Sequence, residues 1–179
     1  RRLGVAFNTR RLNLSAGSGI EARAREARYR ALEEIRAERS LDVIATGHTT
    51  SDQAETLLMR LGRGAGLQGA SGIRELRGRI IRPLLGCTRG EVLAFLAEEG
   101  CSCVSDPMNE DPSFLRVRIR QRLLPCFAEV VGPGVEERLA RFSALAAQDE
   151  EVLSGLAEEA FEELSIDEGQ LDAMGMRAH

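Results

Sequence analysis

The feature that most constrains the fold is the run Leu41-Asp-Val-Ile-Ala-Thr46. It is short, apolar and rich in β-branched residues, which suits a strand buried within a sheet. Gly47 ends it, and a helical pattern follows over residues 51–61. Upstream, Ala24, Ala27, Leu32 and Ile35 recur at helical spacing within residues 21–39. Helix, buried strand and helix in succession imply a partial parallel sheet with crossover helices, an α/β fold. Such sheets bind ligands beyond the carboxyl ends of their strands. Chemistry is therefore expected directly after Thr46.

The rest of the chain extends this reading. Residues 3–14 read as a short strand, and Ala16-Gly-Ser-Gly19 as a turn. Residues 63–72 are Gly-rich and irregular, and residues 73–85 form a hairpin around Arg77-Gly78. Thr88-Arg-Gly-Glu91 is a capping box opening a helix over residues 89–99. A proline-bearing loop spans residues 106–112, and a helix over residues 114–127 is expected to break at Pro125. Gly132-Pro-Gly134 marks a boundary, giving domains 1–131 and 132–179. The second is all-helical, with Leu139, Phe142, Ala146, Leu153, Leu156 and Ala160 as the packing stripe of a helix over residues 135–164.

Charge divides in the same way. The net charge is −4, but residues 126–179 carry three arginines against thirteen Asp and Glu, while residues 1–125 are net basic. The first part could face phosphates and the acidic tail would repel them. Every basic residue is arginine, a side chain that grips phosphate bidentately. With two histidines and four cysteines in no C-x-x-C pair, a zinc site is not expected, and the thiols are expected to be reduced. No apolar run approaches the roughly 18–20 residues that span a bilayer.

The densest polar cluster is Thr46-Gly-His-Thr-Thr-Ser-Asp-Gln-Ala-Glu-Thr56. Thr50 and Gln53 fit a capping box, which would leave a helix start able to attract anions. Asp52 and Glu55, three apart, lie on one helical face. They could hold Mg²⁺ or the ammonium of an amine substrate, or be solvated acids on a capped helix. His48 could bond a phosphate or ribose, carry a proton, or be a polar loop residue.

Gly47-His-x-x-x-Asp52-Gln-Ala-Glu-Thr56, followed by Arg60 and Arg63-Gly-x-Gly66, resembles a signature of the PP-loop ATP pyrophosphatases. Ile81-Arg-Pro-Leu-Leu85, Arg28-Tyr29 and the pattern from Asp106-Pro-x-Asn109 through Arg116, Ile119-Arg120 and Leu123-Leu-Pro125 narrow the resemblance to the tRNA(Ile)-lysidine synthetase group. It covers residues 3–127, with the stretch 106–125 the most specific. The resemblance implies a PP-loop ATPase fold of the adenine-nucleotide hydrolase kind, with a helical linker domain after it. It implies that ATP, with Mg²⁺, adenylates C2 of the wobble cytidine of a tRNA(Ile) bearing a CAU anticodon. L-lysine then displaces AMP to give lysidine. It further implies a cytoplasmic enzyme without a membrane partner, for which a homodimer is one arrangement.

The same resemblance assigns Arg28 and Arg120 as catalytic, and His48, Arg63 and Gly64 to ATP. It assigns Asp52 and Glu55 to lysine, and Arg60 and Arg116 to tRNA. Thr49, Ser51 and Val117 stand where the group usually has His, Asp and Asn. The Ser-Gly-Gly-x-Asp-Ser phosphate loop is absent from the sequence, so the chain is expected to begin mid-domain and to need that segment for catalysis. Two other readings remain: a PP-loop enzyme of the 2-thiocytidine type, disfavoured by the absence of C-x-x-C pairs, and an inert tRNA-binding remnant.

Overall fold

A computed structural model describes residues 4–14, 19–103, 110–167 and 170–171. They fall into two compact units that interleave along the chain. One takes residues 1–49 and 75–104, and the other takes residues 50–74 and 105–179. This partition differs from the expected cut at residue 131, because each unit closes over segments distant in sequence.

The first unit holds α1 (Ile20–Glu38), β1 (Ile44–Ala45), β2 (Leu76–Arg77), β3 (Ile80–Ile81) and α4 (Arg89–Glu98). β3 is the middle strand, parallel to β1 and antiparallel to β2, so the sheet is mixed rather than wholly parallel. Its register pairs Ile44 with Ile80 and Ala45 with Ile81, and Thr46 N–H donates to the Ile81 carbonyl at 3.0 Å. The apolar run after α1 is a strand only at Ile44–Ala45, and it is not buried as expected: Ile44 is enclosed, while Leu41 and Val43 are 51% and 44% exposed because so small a sheet leaves them uncovered. Residues 4–14 do not form the expected strand. Phe7 is 88% exposed, so the alternation there has no sheet face to bury. The chain leaves α1 through Arg36, which donates to the Leu41 carbonyl at 2.6 Å. Helix α4 opens on the expected capping box: Thr88 Oγ1 accepts from Glu91 N–H, and the Glu91 carboxylate accepts from Thr88 N–H at 2.7 Å. That bond, with one from the Thr88 hydroxyl, holds the Glu91 carboxyl below its ordinary range.

The second unit holds α2 (Thr50–Leu61), α3 (Leu67–Ala70), α5 (Leu115–Arg118), α6 (Leu124–Val131) and α7 (Val135–Leu164). A short hairpin follows α7, with Ser165–Asp167 paired to Gln170–Leu171, so the tail is not all-helical. Between α5 and α6 the backbone makes a π-helical turn at Ile119–Leu123 and does not break at Pro125. Pro125 has no N–H to give the carbonyl four residues back, and the wider turn before it accommodates the ring. Ala54, Leu57, Ile119, Leu124, Val135 and Ala146 form the core, with Leu58, Leu115 and Leu139 packed around it.

Only the first half of α7 shares in that core. Val135, Ser143 and Ala146 are buried, while Phe142, Leu153 and Leu156 of the expected packing stripe are each at least half exposed. The periodicity is helical, but the covering elements α2, α3 and α6 meet only one side of its N-terminal half. Of the described helices, none is long and apolar enough to cross a membrane. All four cysteines are free thiols.

Candidate active site

Helix α2 presents its polar face to the α5 and π-helical segment. Glu55 is 0% exposed and carries two guanidiniums. Arg120 meets it in a fork, Nε donating to Oε1 at 2.6 Å and Nη2 to Oε2 at 3.1 Å. Arg116 approaches from the other side, its Nε 2.8 Å from Oε2. The separation of four residues puts both arginines on one side of the segment, and Arg118 between them is exposed. The Glu55 carboxylate, foremost by that fork, raises the Arg120 guanidinium above its ordinary range against the opposing effect of burial. Arg116 Nη2 also donates to Thr56 Oγ1 at 2.9 Å and lies 4.0 Å from Asp52 Oδ1.

This geometry places the assigned residues as follows. Asp52 and Glu55 do share a face, yet they are not an open carboxylate pair. Both Glu55 oxygens are taken by guanidiniums, so Glu55 can act on a ligand only through Arg116 and Arg120. The pair is also a poor fit to a divalent cation for the same reason, and no group of three or more His, Cys, Asp or Glu side chains among the described residues forms a metal cluster. Arg116 is bound into the cluster and keeps 35% of its side chain exposed. Arg60 is turned inward too: its Nη1 donates to the carbonyls of Gly69 and Gly72 at 3.0 and 2.8 Å, bracing the Gly-rich loop.

The start of α2 differs from the expected capping box. Gln53 does not reach back toward residue 50. Its amide clasps Ile73, accepting from the backbone N–H at 2.6 Å and donating to the carbonyl at 3.2 Å. Gly72 makes this possible, since its φ is +63° and an added Cβ would lie 2.7 Å from the Gln53 amide. Ser51 donates a short bond to the Glu136 carboxylate on the first turn of α7. An internal carboxylate thus already stands at this helix start. An aspartate at position 51 would oppose Glu136, which accounts for serine there. Val117, where the related group has Asn, is 5% exposed and serves as an apolar residue of the interior.

His48, half-buried in the first unit, has Nδ1 2.9 Å from Thr46 Oγ1, a contact that orients the ring. Arg28 is exposed on α1, with its guanidinium 5.7 Å from the Tyr29 ring centre. In the second unit Arg63 and Gly64 are exposed, and Gly64 has φ +77° with nothing within 4 Å of an added Cβ. Asp106, Pro107 and Asn109 lie outside the described residues. Sequence reasoning passed over Gln53 as a clasp, Thr56 as an acceptor and Arg82, which is 6% exposed. The Arg60–Gly72 and Gln53–Gly72 contacts leave no local signal beyond the glycines themselves.

Residues 1–127 match the PP-loop domain family. The chain belongs to that family. Among its curated relatives is a tRNA(Ile)-lysidine synthase of Leifsonia xyli, 38% identical over 172 residues, which are 94% of this chain and 52% of the relative. The protein of that name from Novosphingobium aromaticivorans is 45% identical over 124 residues, 65% of this chain and 38% of its own. That from Mycolicibacterium paratuberculosis is 43% identical over 156 residues, 87% and 48% respectively. The chain spans about half the length of the curated relatives it matches. Within this PP-loop domain the α2 signature and the Arg116–Arg120 segment are one ion-paired cluster.

Proposed function

We propose that the protein is a cytoplasmic ligase that joins L-lysine to C2 of the wobble cytidine of a tRNA(Ile) with a CAU anticodon. The observation that carries this reading is the Asp52–Glu55–Arg116–Arg120 cluster in a PP-loop chain whose relatives bear the synthase name. In the first step the cytidine C2 oxygen attacks the α-phosphorus of ATP and pyrophosphate leaves. In the second the lysine ε-amine attacks C2, and the C–O bond breaks as AMP departs with that oxygen; the amine proton passes to solvent.

Asp52 receives the substrate ammonium, since an ammonium leaving water needs a paired carboxylate. Glu55 positions Arg120, which stabilises negative charge developing at the adenylated centre. Arg28 serves the same end from α1. His48, Arg63 and Gly64 contact the nucleotide, the glycine letting backbone approach a phosphate. Mg²⁺ would accompany ATP at its phosphates and offset their charge. Helix α7 belongs to a helical linker, and Arg60 serves tRNA binding by bracing the Gly-rich loop from within.

The test is transfer of labelled L-lysine to tRNA(Ile) with ATP, using the protein expressed from its complete reading frame. Asp52→Asn should raise the KM for lysine roughly 10–100-fold, the worth of one bond to a charged group, while kcat changes little. Absence of label with the unmodified protein rejects the activity. An unchanged lysine KM in the variant rejects the role of Asp52 alone.

A further inference from the structure

Arg116 is a second cation lodged on the carboxylates of α2. The Arg120 fork already gives both Glu55 oxygens a bidentate partner. Arg116 adds to it beside Glu55 and reaches the second acid of the face, Asp52, with poor geometry. Its Nε is buried beside Glu55 at 2.8 Å but makes no aligned hydrogen bond. The Asp52 Oδ1 contact, at 4.0 Å, stands at the edge of ion-pair range, and the bond to the Asp52 carbonyl is long at 3.5 Å. Its side chain is 35% exposed, so water can receive the guanidinium if it leaves.

A planar fork is a mediocre match to this place. A compact ammonium, with three rotatable donors, can satisfy Asp52 and a neighbouring hydroxyl such as Thr56 without spanning both and Glu55 at once. We propose that Arg116 is an internal stand-in for the substrate ammonium, occupying the Asp52 end of the acidic face in the ligand-free protein. It must give way for the amine to bind, and it thereby sets how tightly and how selectively lysine is taken. This rests on the reading of Asp52 as the ammonium-binding carboxylate.

The sign of the effect separates this role from a structural one, because damage to the cluster would weaken binding. Titration calorimetry with L-lysine compares the unmodified protein with Arg116→Gln, Arg118→Gln and Asp52→Asn. Arg118 is exposed on the same segment and removes the same charge. Arg116→Gln should tighten lysine about tenfold, Arg118→Gln less than about twofold, and Asp52→Asn should weaken it roughly 10–100-fold. The gain should vanish with norleucine, which lacks the ε-amine. Unchanged or weaker binding in Arg116→Gln, or an equal gain in Arg118→Gln, overturns the proposal. Loss in Asp52→Asn would then leave the lysine site standing. Lysine binding that ignores Asp52→Asn, or fails in every form, overturns the reading of Asp52 and the stand-in with it. If Arg116→Gln does not fold, Arg116→Met, which also removes the cation while keeping an unbranched stem, is read in its place with the same expected sign.

Discussion

Replacing Glu55 by Gln tests how firmly the cluster holds the second unit together. The substitution keeps the shape and one carbonyl acceptor but deletes the charge that two guanidiniums share. Removing one partner of a wholly buried ion pair costs about 3–5 kcal/mol. Here Glu55 is 0% exposed, while Arg116 and Arg120 keep 35% and 30% of their side chains in water. Those guanidiniums can recover hydration, which lowers the expected loss to about 2–3 kcal/mol. With a urea dependence of about 1–3 kcal/mol per molar, the midpoint followed by circular dichroism should fall by roughly 0.7–3 M. A cycle with Arg120→Gln should return a coupling of about 1–3 kcal/mol. A loss below about 0.5 kcal/mol, the scale of an exposed pair, would refute the argument that burial makes this carboxylate dependent on its partners.

Four other outcomes follow from the same structure. Gly72→Ala should destabilise the second unit by about 1–3 kcal/mol, because φ is +63° and the new methyl would displace the Gln53 clasp, as urea denaturation would report. The Glu91 carboxyl is lowered by its bonds to Thr88, so the cap's contribution is present above the ordinary carboxylate pKa and is lost as pH falls through the lowered folded value. An NMR titration of Glu91 should place its midpoint below 4.5, and a midpoint at or above that removes the capping argument. Asp52→Asn is expected to act on the lysine KM in the transfer assay. Arg116→Gln is expected to tighten lysine in calorimetry.

Much of the local structure was legible. The α2 and α7 spans, the Arg77-Gly78 hairpin and the Thr88–Glu91 cap are written in periodicity, turn residues and pairs three or four apart. The site was legible as a list of residue types after Thr46 and around Arg120. Its wiring was not. Glu55 and Arg120 are 65 positions apart, and nothing nearby says which carboxylate a guanidinium will choose. Gln53 fits a capping box by spacing, yet its amide goes to Ile73, because the loop returning through Gly72 offers a paired N–H and carbonyl.

Residue order alone shows where helices run, which side chains carry charge, and the family to which those motifs point. Short-range forces act between neighbours in the chain, and they can be read without knowing the fold. It takes the folded chain to show that Glu55 is enclosed, that Arg60 and Arg116 turn inward, that residues 4–14 form no strand, and that Phe142 and Leu153 remain uncovered. Burial depends on what packs alongside, and a charge withdrawn from water takes whichever partner the packing brings within reach.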